Sequence, residues 1–134
     1  MIVLDGQLMG RGLEQAIAHW YPGAVCYITD LKPGTVIKDD AIPVLLNREV
    51  EPTFLTINET DFWRKVELTD RFCMVCFALP DSRASEIPAL LRRLFHHPDF
   101  RTKAQRMGRV VRLTSVTAAF YTTDDPLPRS IENW

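Results

Sequence analysis

The chain has 134 residues, of which 46% are hydrophobic and 25% charged, and it carries a formal net charge of −1. This length suits one domain that buries roughly two thirds of its extended-chain surface without metals or disulfides. No stretch approaches the ~20 apolar residues of a membrane span, and Asp5 interrupts an apolar start too short for a signal peptide. We therefore expect a cytoplasmic protein with no membrane partner, whose three cysteines are free thiols.

Strand and helix patterns alternate along the first half of the chain. Ile2 to Asp5 predicts a first strand, and Leu8 to Trp20 has the apolar spacing of a helix with one buried face. Ala24 to Ile28 predicts a second strand, followed by a loop. A second helix is predicted from Asp40 to about Val50, with Asp40 as its N-cap. Pro43 then falls in the first turn, where the backbone N–H takes no part in the helical hydrogen bonds.

The second half of the chain continues the alternation. The predicted elements are a third strand from Thr53 to Ile57, a short helix from Thr60 or Asp61, a fourth strand from Arg71 to Leu79, a helix from about Ser85 to His96, a helical turn within Asp99 to Gln105, and a fifth strand from Gly108 to Val116. Thr117 to Thr122 fits an extra strand that pairs back across a turn.

This alternation predicts an α/β fold, specifically a three-layer α/β/α sandwich on a mainly parallel five-stranded sheet with a possible extra C-terminal strand. Residues 1–123 would form the domain and residues 124–134 an irregular tail. Strand one should lie at the centre of the sheet, with strands two and three on one side and strands four and five on the other.

The Cys73-x-x-Cys76 spacing invites a redox or zinc interpretation. The two cysteines lie within the continuous apolar run of the fourth predicted strand, however, and residues three apart on a strand point to opposite faces. Neither thiol would occupy the helix N-terminus that activates a redox cysteine. We interpret both as core residues.

Charge is distributed unevenly along the chain. Residues 1–91 carry 8 basic and 13 acidic side chains, whereas residues 92–112 carry 7 basic side chains and one acid. The basic segment is a candidate phosphate-contacting surface, and a solvated exterior face is the alternative. The residues assigned to nucleic-acid binding are Arg92, Arg93, Arg101, Lys103, Arg106 and Arg109.

Acidic residues recur where a predicted strand ends or a predicted helix begins. Asp5 ends the first strand, Asp39 and Asp40 open the second helix, and Asp61 follows the third strand. Asp40 and Asp61 could cap helices, but Asp5 has no helix N-terminus beside it and is costly at a sheet edge unless it is solvated, paired or metal-bound. Carboxylates gathered in one place repel each other, and a divalent cation relieves that repulsion.

This layout resembles the PIN-like nucleases, in particular the small stand-alone PIN-like proteins of toxin–antitoxin type. Their pattern is a first strand ending in Asp, a D-x-x-I segment opening the second helix, and a T-x-D-x-D-F turn after the third strand. Leu4-Asp5 matches the first motif and Asp39-Asp40-Ala41-Ile42 the second. Thr56-Ile57-Asn58-Glu59-Thr60-Asp61-Phe62 matches the third with one extra residue.

The resemblance implies a metal-dependent nuclease that hydrolyses phosphodiester bonds in RNA with Mg²⁺ or Mn²⁺. Catalytic roles would fall to Asp5, Asp39, Asp40 and Asp61, and the metal ligands would come from Asp5, Asp40, Asp61, Asn58 and Glu59. An antitoxin, another protein or a second copy of the chain would be the protein partner. The first Asp of the third motif is Asn58 here, so either Glu59 replaces it or the site lacks a ligand and the nuclease is weak or inactive.

Two other functional classes remain open from the sequence. A degenerate, non-catalytic PIN-like module would keep the fold and bind RNA or a protein partner without metal. An unrelated flavodoxin-like or phosphoacceptor domain would need an Asp at the end of a middle strand and a Lys at the end of a later one. The strand ends near Asn58 and Val116 supply neither residue.

Overall fold

A computed structural model describes all 134 residues of the chain. Its strands are β1 (Ile2–Leu4), β2 (Val25–Tyr27), β3 (Thr53–Thr56), β4 (Cys73–Phe77), β5 (Arg109–Leu113), β6 (Ala118–Thr122) and β7 (Arg129–Ser130). Its α-helices are α1 (Leu13–Ala18), α2 (Ile28–Leu31), α3 (Ile42–Leu46), α4 (Glu59–Phe62), α5 (Ile87–His96) and α6 (Lys103–Arg106). Short 3-10 helices cover Gly6–Leu8, Asp39–Ala41 and Asp81–Glu86.

The seven strands form one mixed sheet in the order β2-β1-β3-β4-β5-β6-β7. Strands β1 to β5 run parallel, whereas β6 is antiparallel to β5 and β7 is antiparallel to β6. The α/β class is confirmed, but the sheet is not limited to five mainly parallel strands. Only four residues join β5 to β6, and a connection this short permits a hairpin but not a parallel crossover.

Strand β1 pairs with β2 on one side and with β3 on the other, so it is not an edge strand, but it lies second from the edge of the sheet rather than at the predicted central position. The prediction that the second and third strands lie on the same side of β1 is wrong. The chain adds β2 to one side of β1 and then crosses to the other side to add β3. In parallel sheets such a reversal opens a crevice at the carboxyl ends of the two strands concerned.

Side chains from the strands alternate between two apolar clusters, one on each face of the sheet. Ile2 and Leu4 belong to the larger cluster, which also contains residues of α1 and α5. Val3 belongs to the smaller cluster, which contains residues of α2, α3 and α4. Helices therefore cover both faces, which explains why β1, β3 and β4 are continuous buried runs rather than alternating ones.

The two cysteines of β4 confirm the geometric argument made from their spacing. Cys73 packs in the larger cluster and Cys76 in the smaller one, so their side chains lie on opposite faces of the sheet. All three cysteines are free. Burial raises the pKa of Cys73 to about 12, and burial also raises the pKa of Cys76. Both are core side chains.

The first helix is shorter than predicted. Gly10 and Gly12 adopt φ angles of 80° and 70°, which lie outside the right-handed helical region. A 3-10 turn therefore precedes them and α1 begins only at Leu13. None of the six α-helices has the length and apolar character that crossing a membrane requires.

The second predicted helix also begins differently. Asp39–Ala41 forms a 3-10 turn with Lys38 at its N-cap position, and α3 follows with Ala41 at its N-cap position. Neither residue makes a capping hydrogen bond with its side chain. The interpretation of Asp40 as an N-cap is therefore wrong, and its exposed carboxylate has no helix-capping role. A further helix, α2, begins at Ile28, the last residue of the second predicted strand, and continues into the segment that was predicted to be a loop.

The C-terminal residues 124–134, predicted to be an irregular tail, contribute to the sheet. Arg129–Ser130 pairs with β6, and Ile131 is buried in the larger cluster. The Trp134 indole donates a hydrogen bond to the Thr114 carbonyl (3.1 Å) and stacks with the Arg93 guanidinium (4.1 Å to the ring centroid). These contacts attach the tail to the hairpin side of the domain.

Candidate functional site

The predicted acidic residues meet at the crevice between β1 and β3. Asp5 directly follows β1, and its backbone N–H donates to the Leu55 carbonyl of β3 (2.9 Å). The carboxyl ends of the two strands are therefore in register where the order of the sheet reverses. In doubly wound sheets this location is where ligands bind.

A buried hydroxyl fixes the position of the Asp5 carboxylate. Thr56 Oγ1 donates to Asp5 Oδ2 (2.7 Å) and accepts a hydrogen bond from the Asn58 backbone N–H (3.0 Å). Thr56 is completely buried, so the hydroxyl has little freedom to turn elsewhere. Sequence reasoning did not assign Thr56 to the site, although a threonine at the end of a buried strand and next to an acidic turn was a usable signal.

Asn58 connects this arrangement to Asp61. Its carbonyl oxygen Oδ1 accepts from the Asp61 backbone N–H (3.2 Å), and its amide Nδ2 donates to Asp61 Oδ2 (2.6 Å). Asn58 is thus the N-cap of α4, which corrects the prediction that Thr60 or Asp61 starts this helix. A continuous chain of hydrogen bonds links Asp5, Thr56, Asn58 and Asp61.

Asp39 lies close enough to the other carboxylates to change its ionisation. Its pKa is raised first by partial burial of the carboxyl group and then by the negative charges of Asp61, Asp5 and Asp40. The structure therefore brings Asp5, Asp39 and Asp61 together, with Asp40 beside them.

Glu59 has a different environment from these aspartates. Its Oε2 accepts a hydrogen bond from Arg112 Nε (2.6 Å), and the two side chains are 35% and 36% exposed. Glu59 is absent from the groups that raise the pKa of Asp39. An arginine on β5 thus neutralises the residue that the sequence offered as a replacement for the missing Asp.

A groove of about 520 Å³ begins at the acidic residues and runs between α3 and the segment after α4. Asp39, Asp40 and Asp61 contribute to its wall, and Lys65 is its only basic residue. The other lining residues are Pro43, Val44, Asn47, Phe62, Val66, Glu67 and Thr69. The groove can hold an extended polar ligand, with a single lysine available to an anionic group.

The donor set suits a hard divalent cation in its chemistry but is not assembled into a complete site. Carboxylate oxygens are the ligands that Mg²⁺ and Mn²⁺ prefer. No salt bridge pairs Asp5, Asp39, Asp40 or Asp61 with a basic side chain. Yet no group of three or more His, Cys, Asp or Glu side chains is arranged to hold a metal ion. A cation would have to draw the aspartates closer together.

The basic segment does not surround the acidic site. Arg109 begins β5 and therefore lies at the amino-terminal ends of the parallel strands, whereas Asp5 lies at their carboxyl ends. The Arg109 side chain donates to the Asp99 carbonyl (3.0 Å). Arg93 donates to the Ser115 carbonyl (3.0 Å), and Arg92 is exposed on α5. Arg112 is the member that reaches the acidic side, through its ion pair with Glu59.

Three of the residues assigned to nucleic-acid binding, Arg101, Lys103 and Arg106, line a separate pocket that also contains Trp20 and Tyr21. This pocket lies near the start of β1, because Tyr21 Oη is 3.0 Å from the main-chain nitrogen of Met1. The acidic groove therefore lies at the carboxyl ends of the parallel strands, and the basic pocket lies at their amino-terminal ends.

Comparison of the chain with protein-family models, with curated proteins and with solved structures gives no match.

Proposed function

We propose that this protein is a metal-dependent ribonuclease of the PIN-like type. The observation that carries the proposal is the hydrogen-bonded chain from Asp5 through Thr56 and Asn58 to Asp61, with Asp39 beside it, in the crevice between β1 and β3. Acids gathered at a ligand-binding edge without basic partners are stabilised by a divalent cation.

The residues that would hold Mg²⁺ or Mn²⁺ are Asp5, Asp61, and Asp39 or Asp40. When bound, such a cation activates a water molecule and neutralises charge on the scissile phosphate. Thr56 holds the Asp5 carboxylate in one orientation. The groove beyond the acids would accept the RNA strand, with Lys65 on its wall as the contact for a phosphate.

A second candidate is a degenerate PIN-like module that binds RNA or an antitoxin-like protein without cleaving RNA. Two observations favour it. The Asn58 amide already occupies Asp61 Oδ2, and the acids are not arranged around a common point. In this case Asn58 would substitute for the cation by donating a hydrogen bond to the carboxylate that the cation would otherwise bind.

The strand order supports the phosphoacceptor alternative, but the residues at the strand ends do not. The parallel strands follow the order 2-1-3-4-5, which flavodoxin-like sheets also have. Such a domain would need an Asp after β3 and a Lys after a later strand, but Ile57 and Asn58 follow β3 and Thr114 follows β5. We therefore rank this function below the other two.

The test is cleavage of an unstructured, end-labelled RNA in Mn²⁺ and in EDTA by the wild type and by Asp5→Asn and Asp61→Asn. Asp124→Asn is the matched control, because Asp124 is an exposed aspartate outside the groove. The nuclease proposal expects cleavage only with Mn²⁺, loss of cleavage in the two site variants, and full activity in the control.

Binding measurements separate the two candidates. RNA binding without cleavage, together with no heat of Mn²⁺ binding by calorimetry, would reject the nuclease and support the non-catalytic module. Cleavage that persists in EDTA or in both site variants would reject the acidic site as its origin.

A further inference from the structure

The pocket at the opposite edge of the sheet has the chemistry of a ligand site. Its volume is about 750 Å³, which lies within the ~300–1,000 Å³ range of small-molecule sites. It lies between the segment after α1 and the C-terminal end of α5, with α6 as a third side. It shares no lining residue with the acidic groove.

Three aromatic rings form its apolar wall. Trp20 meets Tyr21 and Phe95 edge to face, with ring centroids 6.1 and 6.0 Å apart. Tyr21 and Phe95 are likewise 6.1 Å apart. Tyr21 and Phe95 are buried, whereas Trp20 is only partly buried. Trp20 therefore offers indole surface to a planar ring that enters the pocket.

Positive side chains form the other wall, and no acidic residue lines the pocket. The charged side chains of this wall are Arg101, Lys103 and Arg106, and His96 also lines the pocket. Lys103 is exposed and forms no salt bridge. Arg101 makes one long hydrogen bond, from Nη2 to the His96 carbonyl (3.4 Å). The charges of these residues are therefore available to an anion.

Arg106 is the most unusual member of this wall, because it is only 5% exposed and has no carboxylate partner. Both hydrogen bonds that its side chain donates within the protein use Nη1, to the carbonyls of Phe100 (2.9 Å) and Arg101 (3.1 Å). Its Nε is the one buried side-chain nitrogen or oxygen in the chain without a hydrogen-bond partner.

The guanidinium carbon of Arg106 lies 3.8 Å from the centroid of the Phe95 ring. Buried charges are normally paired or bound to a ligand, because desolvation without compensation is costly. Two carbonyls and one ring compensate this charge only in part. An anionic ligand in the pocket would supply the missing negative charge.

We propose that this pocket binds a nucleotide, with its phosphate against Arg101, Lys103 and Arg106 and its base against Trp20. Guanidinium groups match phosphate geometry, and bases stack favourably on aromatic side chains. The nucleotide can be a free mononucleotide or the phosphorylated end of an RNA strand, since both present the same chemistry. The site is independent of the acidic residues and of any cleavage.

Calorimetric titration in EDTA tests the proposal with adenosine monophosphate, adenosine and inorganic phosphate. The monophosphate should bind at least about tenfold more tightly than either fragment, because only it contacts both walls. Binding of inorganic phosphate as tight as that of the nucleotide would overturn the proposal in favour of a plain anion site. No binding of any of the three would overturn it outright.

Variants locate the binding in this pocket. Lys103→Ala and Arg101→Ala should each weaken nucleotide binding about tenfold by removing a charged contact. Trp20→Phe should weaken binding of adenosine monophosphate without changing the affinity for inorganic phosphate. Arg71→Ala is the control, because Arg71 is exposed and lines neither pocket. Equal losses in the control and the pocket variants would assign the binding to nonspecific charge.

Two further arms identify the source of the nucleotide and separate this site from the nuclease. The first arm compares an RNA pentamer that has a 5′ phosphate with its 5′-hydroxyl form and with the mononucleotide. Tighter binding of the phosphorylated pentamer than of both others supports a strand-end site. Equal affinity for the pentamer and the mononucleotide supports a free-nucleotide site. Asp5→Asn should retain nucleotide binding, so failure of the nuclease proposal leaves this one standing. Loss of binding in Asp5→Asn would contradict two independent sites.

Discussion

The substitution Asn58→Asp tests how the acidic residues are held together, because it changes one hydrogen-bonding group. The carbonyl oxygen that caps α4 remains, since aspartate is as good an N-cap as asparagine. The amide that donates to Asp61 Oδ2 at 2.6 Å is replaced by a carboxylate oxygen. A hydrogen bond thereby becomes a contact between two negative charges.

The expected cost follows from the exposure of the two side chains. A hydrogen bond to a charged group contributes about 1.5–3 kcal/mol when it is well shielded. Asn58 is partly exposed and Asp61 exposed, so we take about 1 kcal/mol for its loss. Two charges that relax to about 4 Å repel by about 1 kcal/mol in water. We expect destabilisation by about 2 kcal/mol, or a melting temperature lower by roughly 6 °C for a chain of this size.

The assay is thermal unfolding at pH 7.5 in EDTA and again in MnCl₂. Asn58→Ser is the matched control, because serine keeps a capping oxygen and loses the amide donor without adding charge. We expect it to lower the stability by about half as much as Asn58→Asp does. In Mn²⁺ the Asn58→Asp protein should recover, since a ligand at 100 times its dissociation constant stabilises the folded state by about 2.7 kcal/mol. Mn²⁺-dependent RNA cleavage should rise in the same variant.

Two results would refute this reasoning. Equal melting temperatures of the wild type and Asn58→Asp in EDTA would show that the contact with Asp61 does not stabilise the turn. A variant that stays destabilised in saturating Mn²⁺ would show that the gathered acids do not form a cation site.

Three further predictions concern the rest of the chain. Burial and neighbouring carboxylates raise the pKa of Asp39, so the folded protein holds this proton more tightly than the unfolded chain, and the associated stability is lost as pH rises above about 4. Asp39→Asn should therefore raise the melting temperature at pH 7, with the gain fading below pH ~4. A thiol titration of the native protein should detect at most Cys26, with Cys73 and Cys76 reacting only in denaturant. Gly108→Ala should destabilise the fold by about 1–2 kcal/mol in denaturant unfolding, because Gly108 has φ +75° and a Cβ there would lie 2.7 Å from a carboxylate oxygen.

Much of the fold was accessible from the sequence because its strands are buried on both faces. Apolar runs such as Cys73–Phe77 contain no competing pattern, so the element type followed from local pattern and the α/β class from the alternation of strand and helix patterns. Strand order did not follow, because it depends on which side of β1 each crossover selects. The two antiparallel strands were only partly foreseen, since β7 has two residues and no period to detect.

The acidic residues were predicted from their positions at strand ends, but their hydrogen-bond partners were not. Thr56 and Asn58 act through contacts that depend on the rotation of the turn after β3, and no spacing rule gives that rotation. The pairing of Glu59 with Arg112 joins residues 53 positions apart. Such a contact becomes visible only when β5 is placed next to β4.

The two free edges of the sheet are formed by short strands. One edge is β2, with three residues, and the other is β7, with two. A strand this short presents few unpaired N–H and C=O groups to another chain, which limits edge-to-edge aggregation. It equally limits strand addition by a protein partner, because that mode depends on a row of main-chain hydrogen bonds. A protein that associates with this domain would therefore have to recognise side chains on its helices and loops.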